Sequence, residues 1–235
     1  MAGTAATPHH DDRAITAVGA GAAKKPPAEA GLAVYHTTAT ASVKEHRHRT
    51  LKHGDTFAVF DQRGDIGGEA GNPEGLYHAD TRILSRFDLQ LDGARPLFLS
   101  STTQEDNAVF SADLTNPDRS ANGDAPLERE LIHINRLRFI WNGGLFERLM
   151  VRNFDEKPHN LVLTLQFAAD FADLFEVRGQ HRRRRGTSSA RCEAKNKVAL
   201  HYLGLDGIER VTALVFHPAP DRLDPASAEF VLRLR

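Results

Sequence analysis

Three carboxylates at even spacing, Asp170, Asp173 and Glu176, lie in the stretch ADFADLFEVRGQHRRRRG and run into Arg178 and Arg182–Arg185. On one face of a helix they would supply the pair of carboxyl groups, about 5–10 Å apart, that glycoside hydrolysis requires. The same residues serve as a cap-forming acidic turn that pairs with Arg178 and its neighbours. Nothing in the spacing identifies a nucleophile, so the acidic turn is the reading adopted. The four arginines suit phosphate contacts, but no aromatic side chain lies between Gln180 and His201 to stack bases. The run reads as a solvated loop, and no nucleic-acid partner is expected.

A second mixed stretch is Gly75-Leu76-Tyr77-His78-Ala79-Asp80-Thr81-Arg82, with a ring, a carboxylate and a guanidinium inside eight residues. Sugar sites combine an aromatic face with bidentate groups for hydroxyls. An internal ion pair between Asp80 and Arg82 that fixes the loop fits the same residues. His46, His48 and His53 have zinc-like spacing but no thiolate or rigid frame, so no metal is expected. Gly64, Gly67 and Gly68 lack the lysine and hydroxyl of a phosphate-binding loop and read as turn glycines; no cofactor is implied. Ser100 and Ser101 lie in no nucleophile elbow.

The elements that must hold these residues follow from composition and period. At 235 residues and 40% hydrophobic, the chain can bury one large core. Thirty basic and 31 acidic residues leave a net charge of −1, which gives no field for gathering polyanions. A single cysteine, Cys192, cannot form an internal disulfide and points to a reducing compartment. No apolar stretch has the length of a signal peptide or a membrane helix, so a soluble, cytoplasmic protein without membrane contact is expected. Residues 1–45 are poor in large apolar side chains and are expected to be a disordered tail.

Beyond the tail the period is two. Phe87, Leu89 and Leu91 alternate with polar residues, Asp92-Gly93 interrupts, and Leu97 and Leu99 resume, which predicts a β-hairpin with a type I′ turn. Leu161–Phe167, Val211–Phe216 and Phe230–Leu234 alternate likewise, the first two apolar in part on both faces. Turn signals recur at Asp61–Gly64, Gly67–Gly75, Asn116-Pro117, Asn142-Gly143-Gly144, Asp155–Pro158 and Asp206-Gly207. One or two helical turns are expected around Ala168–Phe175. The fold class is therefore all-β, a large antiparallel β-sandwich over residues 46–235. Because the last strand runs to Arg235 without a turn, a chain cut from something longer is expected.

Five stretches in order, LKHGDTFAVFDQRGDI, GLYHADTRILSRFDLQLDG, EDNAVFSADLTNPD, LFERLMVRNF and ADFADLFEVRG, resemble the N-terminal domain of bacterial glycogen debranching enzymes of the amylo-α-1,6-glucosidase type. The resemblance covers about Leu51 to Gly186. It implies a β-sandwich domain that precedes an α/α-toroid catalytic domain; this chain is expected to stop where that toroid would begin, so no catalytic residue is carried across. It also implies, as partners, an α-glucan such as glycogen or maltodextrin, or a separate catalytic toroid. Tyr77, Asp80, Arg82, Asp173, Glu176 and Arg178 are the candidates for a substrate cleft or domain interface. The alternative is a standalone carbohydrate-binding or partner-docking module.

Overall fold

The computed structural model describes residues 15–18, 48–67, 72–104, 106–119 and 126–235. The expected tail falls outside the described residues except for Ile15–Val18, whose backbone forms strand β1. The remaining strands are β2 (Arg49–His53), β3 (Thr56–Phe60), β4 (Gly75–His78), β5 (Thr81–Leu84), β6 (Arg86–Leu91), β7 (Leu97–Thr103) and β8 (Val109–Thr115). They continue with β9 (Ile132–Trp141), β10 (Gly144–Asn153), β11 (His159–Ala168), β12 (Thr187–Ala194), β13 (Lys197–Leu203), β14 (Glu209–His217), β15 (Arg222–Leu223) and β16 (Ser227–Leu234). A single helical turn, α1 (Leu174–Val177), lies between β11 and β12.

One layer is an eight-stranded sheet in the order β12-β13-β14-β1-β10-β9-β8-β7. The other consists of two four-stranded sheets, β15-β16-β11-β6 and β2-β3-β4-β5. The two halves of this second layer are joined because β5 runs into β6 through Ser85, whose amide donates to Ala168 O (2.8 Å). The extension of β11 follows β5, with Arg82 N donating to Ala172 O (2.8 Å), and Ile66 and Phe87 exchange two 2.9 Å bonds across the seam. Every named strand pair is antiparallel, and the all-β sandwich expected from the alternation is what the chain forms.

Between the layers Phe60 meets Phe110 edge-on at 4.6 Å, and Phe216 sits 5.8 Å from Phe167 and 6.1 Å from Phe230. The aromatic rings thus tie β8 and β14 to the opposite layer, burying area no single sheet could bury. Strands β11 and β14 differ from the expectation of two apolar faces. Each buries only alternate residues, and Val162 and Val211 are exposed at 36% and 44%. Among the described residues no third layer covers their outer valines.

The turn at Asp92-Gly93 forms as predicted, with φ of 50° and 75° and two hydrogen bonds between Leu91 and Ala94. The hairpin does not. After the turn β7 crosses to the other layer and pairs with β8, while β6 pairs with β11. The expected helix around Ala168–Phe175 is likewise shifted, because residues 168–173 run alongside β5, with Phe171 at a φ of 50°, and the helical turn begins only at Leu174.

Charges occupy the centre of the core. The hairpin of β9 and β10 turns at Asn142-Gly143, so Arg138 stands directly opposite Glu147, and both face inward with Arg136. Arg136 donates to Glu147 Oε1 (2.7 Å) and Asp65 Oδ1 (2.5 Å), and Arg138 donates to both Glu147 oxygens (3.1 and 3.2 Å). Arg138 also lies 5.3 Å from the ring centroids of Phe60 and Phe87, a cation–π arrangement. Asp65 in turn accepts from Arg95 (3.0 Å). Burial alone would raise Glu147, but Arg136 and Arg138 outweigh it and hold the carboxyl below its ordinary value. Asp65 is lowered in the same way by Arg136 and Arg95.

Candidate functional site

The two stretches singled out from sequence meet at one end of the sandwich. Strands β4 and β5 are joined by Ala79 and Asp80, both at positive φ (44° and 61°), and Asp80 O accepts the amide of Leu174 (3.1 Å). Thr81 bridges to Asp173. The hairpin tip and α1 are therefore one unit.

Arg82 holds the unit from below. Its Nε donates to Asp170 Oδ1 (3.1 Å), its Nη2 bonds the second oxygen, and Nη1 donates to Asn72 O (2.8 Å) and Glu74 O (3.3 Å). Arg82 is 7% exposed and its carboxylate partner is Asp170, so the Asp80–Arg82 ion pair, one of the two readings open from the sequence, does not form. Burial would lower Arg82, but Asp170 and, behind it, Tyr77 outweigh burial and raise it above its ordinary value. Gly75 lies against this side chain; a Cβ there would fall 2.5 Å from Arg82 Cδ, so the strand needs glycine at that point. Tyr77 is buried, stacked on Phe57 at 4.6 Å with its hydroxyl donating to Pro73 O (2.7 Å). Burial pushes its phenol up. Tyr77 and Arg82 thus act from the interior, whereas Asp80 and Arg178 are exposed.

The acidic turn is a cap. Asp173 Oδ1 accepts from the amides of Phe175 (2.9 Å) and Glu176 (2.8 Å), and Glu176 Oε2 accepts from Asp173 N (3.1 Å), a reciprocal capping box. Its arginine partners lie farther along the chain than Arg178. Arg182 bonds Asp173, and Arg185 reaches Glu176 (3.3 Å) and donates to Asp170 O (2.6 Å). Arg178 instead closes the helical turn from its C-terminal end through its backbone. Asp173→Ala is therefore expected to destabilise the domain by about 1 kcal/mol, readable in urea unfolding. An unchanged midpoint would mean that the cap is energetically idle.

Beside this unit opens a cleft of about 510 Å³ lined by His78, Thr81, Asn142, Phe171, Arg210 and Val211, among others. Phe171, at a φ of 50°, is buried and stacks on Tyr202 at 5.3 Å. His78 Nδ1 lies 2.8 Å from Thr56 Oγ1. Arg210 is held by Asp206 (2.9 Å), and this hydrogen bond holds Asp206 at about 2. Thr212 Oγ1 donates to Ile83 O (2.6 Å), joining β14 to β5 beneath the cleft. Of the described residues that line it, none is a carboxylate, so the cleft offers donors and apolar groups for binding but no acid–base pair. Large apolar side chains are exposed on the elements around it: Phe175 (61%), Leu203 (51%), Leu205 (63%) and Ile208 (56%).

Sequence reasoning missed Arg210, Asn142 and Phe171 as cleft residues. Asp206-Gly207 and Asn142-Gly143 were visible only as turns, and nothing local shows that three hairpins converge. Among the zinc-like histidines, His46 lies outside the described residues, His48 is 3.5 Å from Glu74, and the His53 ring is 4.7 Å from that of Trp141. Cys192 is exposed on β12.

No curated protein matches the chain. Residues 51–235 match the family described as the N-terminal domain of (some) glycogen debranching enzymes, extending the five shared stretches to Arg235. With that match spanning most of its length and nearly all of its described β-sandwich, the chain belongs to the family of glycogen debranching enzyme N-terminal domains.

Proposed function

We propose that this domain is the non-catalytic N-terminal β-sandwich of an α-glucan debranching glycosidase of the amylo-α-1,6-glucosidase type. It serves cytoplasmic carbohydrate metabolism, and its cleft end faces either the glucan or a separate catalytic toroid. One observation carries the reading: the β4–β5 hairpin, the β9–β10 turn, Phe171 and β14 line a cleft with donors and an aromatic floor but, among the described residues, no lining carboxylate. Sugars bind where polar groups converge beside apolar surface. The exposed Phe175, Leu203, Leu205 and Ile208 favour a second reading, partner docking, at the same end.

The test is glycogen co-sedimentation combined with a glucose-release assay. Retention on glycogen weakened about tenfold by Arg210→Ala, with no glucose released from branched maltodextrin, is the expected result. The tenfold loss corresponds to about 1.4 kcal/mol. Turnover that disappears on Asp173→Asn or Glu176→Gln would overturn the non-catalytic assignment. Tyr77→Ala is unsuited to this purpose because it empties part of the core.

A further inference from the structure

Strand β1 occupies a singular place in the large sheet. Among the described residues it is the strand that links β12-β13-β14 to β10-β9-β8-β7, two pieces of sheet that without it would each present an open edge. Ile15–Val18 pair with Leu149 to Phe146 on one side, and Thr16–Val18 pair with His217 to Val215 on the other, antiparallel to both. The gap thus accepts a strand running in one direction only, across two strand spacings of about 4.8 Å each. Register places position 15 in the row of Leu149 and position 17 in the row of Glu147 and Phe216, all three buried. The strand therefore closes the sheet directly beside the carboxylate shared by Arg136 and Arg138.

We propose that the gap between β10 and β14 is a receptor slot for an extended strand, and that a second copy of this chain fills it with its own Ile15–Val18 when the protein is concentrated. Residues 19–47 separate β1 from the next described residue, His48. A connection of about 30 residues reaches up to ~100 Å when extended, so the strand can span to its own slot or to a neighbour's. The same contacts form either way. Concentration then decides, against an effective concentration on the order of 1 mM for the tethered strand.

The test places one cysteine on each side of the ladder. Thr16 and His217 are directly opposed, and opposed residues of antiparallel strands have Cα separations of about 4.5–5.5 Å, inside the disulfide range. Thr16→Cys with His217→Cys, in a Cys192→Ser background, is oxidised with diamide. Two thiols lose their hydrogens to form one disulfide as the diazene is reduced to the hydrazine. A non-reducing gel is expected to show an intrachain product at about 10 µM and an interchain dimer at least tenfold enriched at about 1 mM. No cross-link, or an intrachain product alone at every concentration, would overturn the proposal. The unmodified chain provides the independent readout: its mass by light scattering should move from monomer towards dimer over the same range, and a monomer at both ends refutes exchange.

Discussion

Replacing Glu147 with glutamine is expected to cost about 3–5 kcal/mol of folding stability, the largest single effect in the molecule. The carboxylate is buried and serves two buried guanidinium groups at once, Arg136 at 2.7 Å and Arg138 at 3.1 and 3.2 Å. Without its charge, Asp65 alone offsets two fully buried cations, and removing one member of such a set costs more than the set contributes. Urea unfolding followed by the single tryptophan, Trp141, reads the loss as a lower midpoint at unchanged slope. A loss under about 1 kcal/mol would show that the cluster relaxes or hydrates. The pH dependence has a definite sign. Native Glu147 and Asp65 are held below their ordinary values of 4.5 and 3.8. Their contribution is present above those values and is lost as pH falls through the lower native ones. The Glu147→Gln variant should therefore lose less stability than the parent on acidification below about pH 4.5.

Arg82→Met is expected to cost about 2–4 kcal/mol, somewhat less than a fully buried pair because the Asp170 side chain is 29% exposed. The guanidinium fork serves two carboxylate oxygens and two carbonyls, those of Asn72 and Glu74. Its removal leaves Asp170 without its bidentate partner and frees the β11 extension that runs along β5. Arg82→Lys retains charge but not the fork, and it should recover less than half of the loss. Hydrogen exchange adds a readout specific to this role: the amides of Arg82 and Ser85, bonded to Ala172 O and Ala168 O, should exchange faster in Arg82→Met. A lysine variant as stable as the parent would mean that only charge matters at this site.

The alternation of Leu161–Phe167 and Phe230–Leu234 made β11 and β16 legible, because one buried face imposes a period of two on any strand. Strand β9 defeats the same reasoning. Its inward residues include Arg136 and Arg138, so a pattern that puts charge outside assigns the faces of this strand in reverse. The signal was present in the hairpin arithmetic: a two-residue turn at Asn142-Gly143 places Arg138 opposite Glu147, a pairing that opposite charges favour. At Asp92-Gly93 the turn was local and therefore readable, whereas the departure of β7 to the other layer depends on β8, which the turn cannot encode. The candidate site divides along the same line. Asp173 and Glu176 carry the D-x-x-E spacing of a capping box, but Arg82 finds Asp170 across 88 positions of sequence, and only the assembled sandwich brings them together.

The position of Ile15–Val18 sets a timetable for biogenesis. The β1 segment leaves the ribosome about 130 residues before β10 and about 200 before β14. At 5–20 residues per second, that is on the order of 10–40 s of waiting before both neighbours exist. Among the first segments of this chain to be made, β1 is among the last that can be seated, and until then the edges of β10 and β14 are open to any nascent strand nearby.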